Sequence, residues 1–387
     1  MFFKEELRRK CLKLFLILDA FLIIGILVWG VLSIHLMDKD FKKELAQVAE
    51  ILPARAATTF TVNTSISVAN TTFDNDDITC DGAITLTIDG AHPFASLALI
   101  NGCTLTHSIS TTTTINKLNL TIAGTLSVCS TCTIDVTGRG FLGGSNGGAT
   151  NLGRTSNGAG GQQDGTGPAN AGSHGGLGGR QSTALAKNAA YDSIVNPSEP
   201  GGGGGNASLN DGNDGGGVVL ITVGTLTLNG TIKADGESVT QKCGGAGGTI
   251  RIIATTVQGS GSIQAKGGLS ASVGACNNFG AERVSGGGGR IVVKYATNTL
   301  FVIPPTNILA NAPQGSGSFP TMFTGGAGSV YVEETDVHTA NQGILIVDNA
   351  DALPEEETTL INATFLAPNT GTFAEIRIKD KAQVFSD

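Results

Sequence analysis

The stretch "CGGAGGTIRIIATTVQGSGSIQAKGG", residues 243–268, decides how the rest of the chain is read. A glycine cluster runs into a β-branched segment, "TIRIIATT", and then into a short unit ending in glycine. A phosphate-binding loop of the G-x-x-x-x-G-K-[ST] type opens a helix, whose N-terminus and backbone amides hold the phosphates. Here the glycines lead to no Lys-Ser/Thr pair, and the segment after them has strand character. The dinucleotide fingerprint likewise needs glycines between a strand and a helix. The glycine therefore reads as architecture.

The stretch is one copy of a repeat. "GGGVVLITVGTLTLNGTIKADG" starts at Gly215, "GGTIRIIATTVQGSGSIQAKGG" at Gly247, and "GGGRIVVKY" opens a third unit at Gly287. The first two end in G-[ST]-I-x-A-x-G, at Gly230–Gly236 and Gly261–Gly267, and "TCTIDVTG" (131–138) is a looser copy. Earlier, "GCTLTH" at Gly102 and "GTLSVC" at Gly124 suggest a spacing near 22 residues, with Cys80 another such step before Gly102. Strand-only repeats of this length are what stacked solenoid units require, since one unit cannot bury its inward face alone. The expectation is an all-β parallel, right-handed β-helix or solenoid over 57–302, followed by a C-terminal β region over 303–387. A β-sandwich of Thr-rich strands is the alternative. The insert 143–217 reads either as a flexible loop or as polyproline-II-like segments held by neighbouring backbones, and insertions on one face of a solenoid often form its binding face.

The chain has 387 residues, 56 of them Gly, with 14% charged and 5% aromatic residues and a formal net charge of −8. Residues 1–43 carry eight Lys/Arg against five Asp/Glu, leaving 16 against 27 beyond them. That balance argues against a nucleic-acid partner. "LFLILDAFLIIGILVWGVLSIHLM" (14–37) is long enough to span a bilayer and longer than a secretory apolar region. Basic residues precede it, so the expected topology puts 1–13 in the cytoplasm and the remainder outside, periplasmic or extracellular, as an uncleaved signal anchor. Asp19 lies within reach of the basic end of this span. Phe41, Leu45, Val48 and Leu52 share one helical face ending at Pro53, a juxtamembrane helix over 38–52 able to self-associate or lie on the bilayer.

Six cysteines fall outside by this topology: Cys80, Cys103, Cys129, Cys132, Cys243 and Cys276. An even number in an oxidising compartment indicates disulfides, and sequence-local pairing (80–103, 129–132, 243–276) is the simplest scheme. "DNDD" offers Asp74, Asp76 and Asp77 as a calcium site, against a solvated turn; no other cofactor is expected. His92, His107, His174 and His338 are isolated from any nucleophile motif, and His174, in "AGSHGG", reads as a solvated loop residue. Glycoside hydrolysis needs two facing carboxylates; Asp135, Asp235 and Glu237 are available on or beside strands.

The units "GGAGGTIRIIATTVQGSGSIQAKGG" and "GGGGRIVVKY" resemble those of glycine-rich β-helical surface proteins of bacteria, including cell-envelope proteins and, more loosely, haemagglutinin-type adhesins. The resemblance is closest over 215–295 and fainter over 78–140. It implies a right-handed β-helix displayed outside the cell for adhesion or envelope structure, with no catalytic residues to carry over. Such proteins commonly leave through a cleaved signal, and here an anchor is expected instead. The functional expectation is a membrane-anchored surface protein binding a glycan, another surface or itself. A polysaccharide-degrading β-helical enzyme and a self-assembling filament subunit are the alternatives.

Overall fold

The structure, a computed structural model, describes residues 57–144, 152–157, 162–166, 170–180, 189–206, 212–239, 243–269, 284–300, 306–314, 324–338, 340–349, 359–360, 373–379 and 384–385. The expected membrane span at 14–37 and helix at 38–52 lie outside them. Among the described residues no helix is long and apolar enough to cross a membrane.

Everything regular in the described chain is strand. The repeats contribute β1 (Ala57–Phe60) and β2 (Thr64–Ile66), β3 (Asp77–Asp81) and β4 (Thr85–Ile88), then β5 (Gly90–Phe94), β6 (Ser96–Ile100) and β7 (Thr104–Thr106). The long β8 (Leu118–Val128) precedes β9 (Thr133–Asp135), and a hairpin of β10 (Gly153–Ser156) and β11 (Gln162–Thr166) intervenes. The repeat resumes with β12 (Val218–Leu228) and β13 (Thr231–Lys233), β14 (Thr249–Gly259) and β15 (Ser262–Gln264), and β16 (Arg290–Asn298) and β17 (Ile308–Leu309). Last come β18 (Ser329–Glu334), β19 (Ile344–Asp348), β20 (Thr359–Leu360), β21 (Glu375–Lys379) and β22 (Val384–Phe385).

These strands form two principal sheets. The larger has 11 strands in the order β1-β3-β6-β8-β12-β14-β16-β18-β19-β21, with β5 pairing β8, and the smaller has seven, β17-β15-β13-β9-β7-β4-β2. Neighbours in both pair in parallel, each strand with its counterpart in the next repeat; β18–β19 is the antiparallel exception. This all-β, parallel arrangement is compatible with a β-solenoid or another parallel β fold. The G-[ST]-I-x-A-x-G copies fall in register, Thr231 on Ser262 and Ile232 on Ile263, as does the looser copy, Ile134 on Ile232.

The spacing inferred from Gly102 and Gly124 is corrected. Gly102 sits in a left-handed turn (φ +89°) ahead of β7, whereas Gly124 lies inside β8 with its N–H on the Ala95 carbonyl. They are not equivalent positions. Leu126 pairs with Leu97 and Ile134 with Leu105, all four buried, so inward side chains set the register. A one-residue slip would turn every apolar side chain outward.

The core explains the alternation. Leu118, Leu120 and Ile122 of β8 point inward, Ala123, Gly124 and Thr125 are exposed, and Leu126 and Val128 point inward again. β12 repeats this with Val219, Ile221 and Val223, then Leu226 and Leu228. Buried apolar area stabilises by about 25 cal/mol per Å². A second, smaller core covers part of the large sheet's other face, where Ile194 meets Val292, Tyr331 and Leu345.

The glycine segments are not surface loops where they are described. Gly201–Gly205, Gly212 and Gly215–Gly217, Gly244–Gly248 and Gly286–Gly289 are buried. They bond to one another through their backbones: Gly201 N–H to Gly216 O (2.9 Å), Gly216 to Ala246 (2.8 Å), Gly247 to Gly287 (2.9 Å) and Gly288 to Gly326 (2.9 Å). Gly172 donates to Gly244 and its carbonyl accepts from Gly287. Within the insert, the described glycines are held by backbone hydrogen bonds to neighbouring segments. A side chain has no room here: a Cβ on Gly288 would stand 1.7 Å from the Ala310 carbonyl oxygen, and one on Gly328 1.8 Å from that of Gly289. The bundle joins the small sheet through one backbone carbonyl of each repeat, that of Val136 accepting from Gly217 in the first. Ala234 O accepts from Gly248, Ala265 O from Gly289, and Ala310 O from Gly328. The side chain at this position lies close to a glycine of the next layer, Ala265 Cβ beside Gly289 and Val136 Cβ beside Gly217.

Candidate binding faces

The cysteines come together as the spacing predicts where both partners are described. Cys80 is bonded to Cys103 across a separation of 23 residues, and Cys129 to Cys132 across three. Cys243 is also disulfide-bonded, and Cys276 lies outside the described residues.

In "DNDD", Asp74 Oδ1 lies 3.0 Å from His92 Nδ1, while Asp77 Oδ1 accepts from the Ser96 hydroxyl at 2.6 Å. Asp76 donates its backbone N–H to Phe73 O and accepts from Ala95 N–H. Among the described residues no group of three or more His, Cys, Asp or Glu side chains is placed to hold a metal ion.

Asp135, Asp235 and Glu237 each cap a backbone amide. Asp135 accepts from Thr137 N–H (2.9 Å), Asp235 from Lys266 N–H (2.7 Å) and Glu237 from Asp214 N–H (3.0 Å). Burial raises the Asp235 carboxyl above its ordinary value, opposed by the Lys266 amide and the charges of Lys266 and Lys233.

His174 is a correction: it is fully buried, not solvated. The segment 189–200 lies over it as a strap. His174 Nδ1 meets Gly247 O at 2.9 Å and Nε2 faces Asp192 Oδ2 at 3.5 Å. Asp192, with φ +70°, also accepts from the amides of Ser198 and Glu199. Burial alone would raise its carboxyl, but His174, the Glu199 amide and Arg290 together hold it below the ordinary value. Arg290 is fully buried, giving Nε–H to Tyr191 O (2.8 Å) and Nη1–H to the Ser329 hydroxyl (3.0 Å). Its pKa is lowered to about 10 by burial. Sequence reading missed this cluster because its members come from four separate segments and meet only when the glycine layers stack.

His107 is likewise buried, its Nε2 accepting from Val218 N–H at 3.1 Å and its Nδ1 giving a hydrogen bond to Ser108 O at 2.7 Å. Burial, helped by Arg139, lowers its pKa to about 4 against the opposing Ser108 and Asp89.

The surface carries a second kind of order. Towards the C-terminal ends of β8, β12, β14 and β16, outward residues align across repeats. One column is Thr125–Thr225–Thr256–Thr297. Two residues along runs Thr59–Thr79–Ala98–Ser127–Thr227–Gln258. A third column, Thr85–Thr104–Thr133–Thr231–Ser262, runs along the small sheet. Gln258 Nε2 donates to the Thr227 hydroxyl at 2.9 Å, so neighbours within a column are in direct reach. The signal was present in the sequence as Thr125-Leu-Ser, Thr225-Leu-Thr and Thr256-Val-Gln, once the repeats are aligned by register.

No family model, curated protein or solved structure matches the chain.

Proposed function

We propose that the chain is a membrane-anchored, exported parallel β-solenoid with a right-handed wind, acting as a non-enzymatic adhesive or structural protein outside the cell. The observation that carries this reading is the pair of disulfides set into a stack of parallel strands, Cys80–Cys103 and Cys129–Cys132. Such bonds persist in oxidising compartments, and the basic-flanked apolar segment at 14–37 supplies the route and the tether. The parallel pairing favours a solenoid over a sandwich, whose sheets are antiparallel. Asp135, Asp235 and Glu237 hold backbone amides, a structural use that favours a binding protein over a polysaccharide-degrading enzyme.

The test uses the full-length chain in the membrane of intact cells. An impermeant amine-reactive label applied outside should modify lysines beyond residue 57, and alkylation of denatured, unreduced protein should leave Cys80, Cys103, Cys129 and Cys132 unmodified. Labelling only after the inner membrane is broken, or free thiols at these four positions, would overturn the reading.

A further inference from the structure

Two of the hydroxyl columns lie side by side on one face: Thr125–Thr225–Thr256–Thr297 and Ser127–Thr227–Gln258. The residues between them, Leu126, Leu226 and Val257, are fully buried, so the columns are the outward positions of the same strands. Strand pairing sets the spacing within a column at about 4.8 Å, and two residues along a strand set the columns about 6.6 Å apart. Within the described chain no side-chain hydrogen bond engages the hydroxyls of Thr125, Thr225, Thr256 or Thr297. Thr125 and Thr297 are exposed and Thr225 and Thr256 half-buried. Neither column contains a charged or aromatic residue.

Resting on the proposed role outside the cell, we infer that this face binds an uncharged, extended β-linked glycan lying across the strands, along the columns. Each hydroxyl both donates and accepts, as does each sugar hydroxyl, so the two arrays are chemically complementary. A β-linked glycan advances one ring in roughly the distance that separates adjacent strands, which lets successive sugars meet successive repeats. The chain's net charge of −8 disfavours polyanions, and columns without Lys or Arg have nothing to pair with a uronate. With no aromatic platform, each contact is weak. Retention then comes from many repeats acting together, and it rises with glycan length.

The experiment uses the full-length chain in mild detergent. Insoluble cellulose and chitin serve as probes, alongside soluble mixed-linkage β-glucan, its short oligosaccharides, and polygalacturonate. The expected result is retention on a neutral polymer, with short oligosaccharides competing at least tenfold less well than long ones and polygalacturonate not at all. The Thr225→Val/Thr256→Val double variant, with its melting temperature checked against the parent, should lose at least tenfold in retention. Thr104→Val/Thr231→Val, in the third column, should be unchanged. Equal retention by the first variant, equal loss by the second, or preference for polygalacturonate would overturn the assignment. So would inhibition of ice growth, or self-association lost in the first variant, without glycan retention. A chain that is labelled outside intact cells yet retains no neutral glycan refutes this inference and leaves the surface role standing. Failure of surface labelling refutes the role itself.

Discussion

The strand repeats and the glycine bundle solve the same problem by opposite means. In β8, β12, β14 and β16 the backbone is satisfied by the neighbouring strand, and the free energy comes from Leu, Ile and Val turned inward. In the bundle there is almost no side chain to bury. Segments such as 201–205, 244–248 and 286–289 are held by backbone hydrogen bonds to several neighbours at once. Glycine there is chosen for closeness, because these residues are not in left-handed conformations and a Cβ would strike a carbonyl. The difference predicts two distinct tolerances: the strands should accept changes that conserve volume, and the bundle should accept no added carbon.

The largest effect should come from adding one methyl to the bundle. Gly288→Ala places a carbon against the Ala310 carbonyl and is expected to cost about 3 kcal/mol or more, read as a drop in denaturation midpoint. Gly82, at φ +106° with open space around it, should lose only about 1 kcal/mol on the same change, since strain at φ > 0 is its sole cost. Equal effects at the two positions would remove the distinction between closeness and conformation.

In the strands, Leu226→Ala should cost about 3 kcal/mol through lost burial and a residual cavity, whereas Leu226→Met should stay under about 1.5 kcal/mol. Chemical denaturation of the two variants checks both. A Met variant as damaging as Ala would mean the strand core is as intolerant as the bundle.

His107 joins the two regions, since Val218 opens β12 directly after the glycine run. Its folded pKa of about 4 lies below the ordinary 6.5, so the fold favours the neutral ring. Stability from this site is complete above about pH 6.5 and is lost as pH falls towards 4, by roughly 3 kcal/mol in all. Denaturation midpoints across that window should fall in the parent and flatten in His107→Gln.

Reduction should act on the strand side. Opening Cys80–Cys103, with its separation of 23 residues, should cost about 3 kcal/mol, and opening Cys129–Cys132 about 2 kcal/mol because its loop is shorter. Paired Cys→Ser variants compared by thermal melting give the ratio.

The strand half of this molecule was legible in the sequence because period-two alternation and G-[ST]-I-x-A-x-G both report on a single strand and its nearest turn. The register was less so. Gly102 and Gly124 resemble each other in letters, yet one makes a left-handed turn and the other lies inside a strand. The bundle was only half legible: "GGGGG" at 201–205 names no partner, since glycine carries no side chain to encode one. His174 was misread for the same reason, its burial being created by segments and a strap far away in sequence. The hydroxyl columns were hidden by unequal spacing between repeats, 31 residues from Thr227 to Gln258 but 19 from Asp77 to Ser96.

Hydrogen exchange on the intact chain, resolved to short peptides, tests the central claim most directly. Amides in 172–179, 201–205, 244–248 and 286–289 are predicted to exchange as slowly as those of β12 and β14, because each layer is buried and bonded. Exchange in the glycine segments at the rate of an unstructured peptide, beside protected strands, would contradict the account.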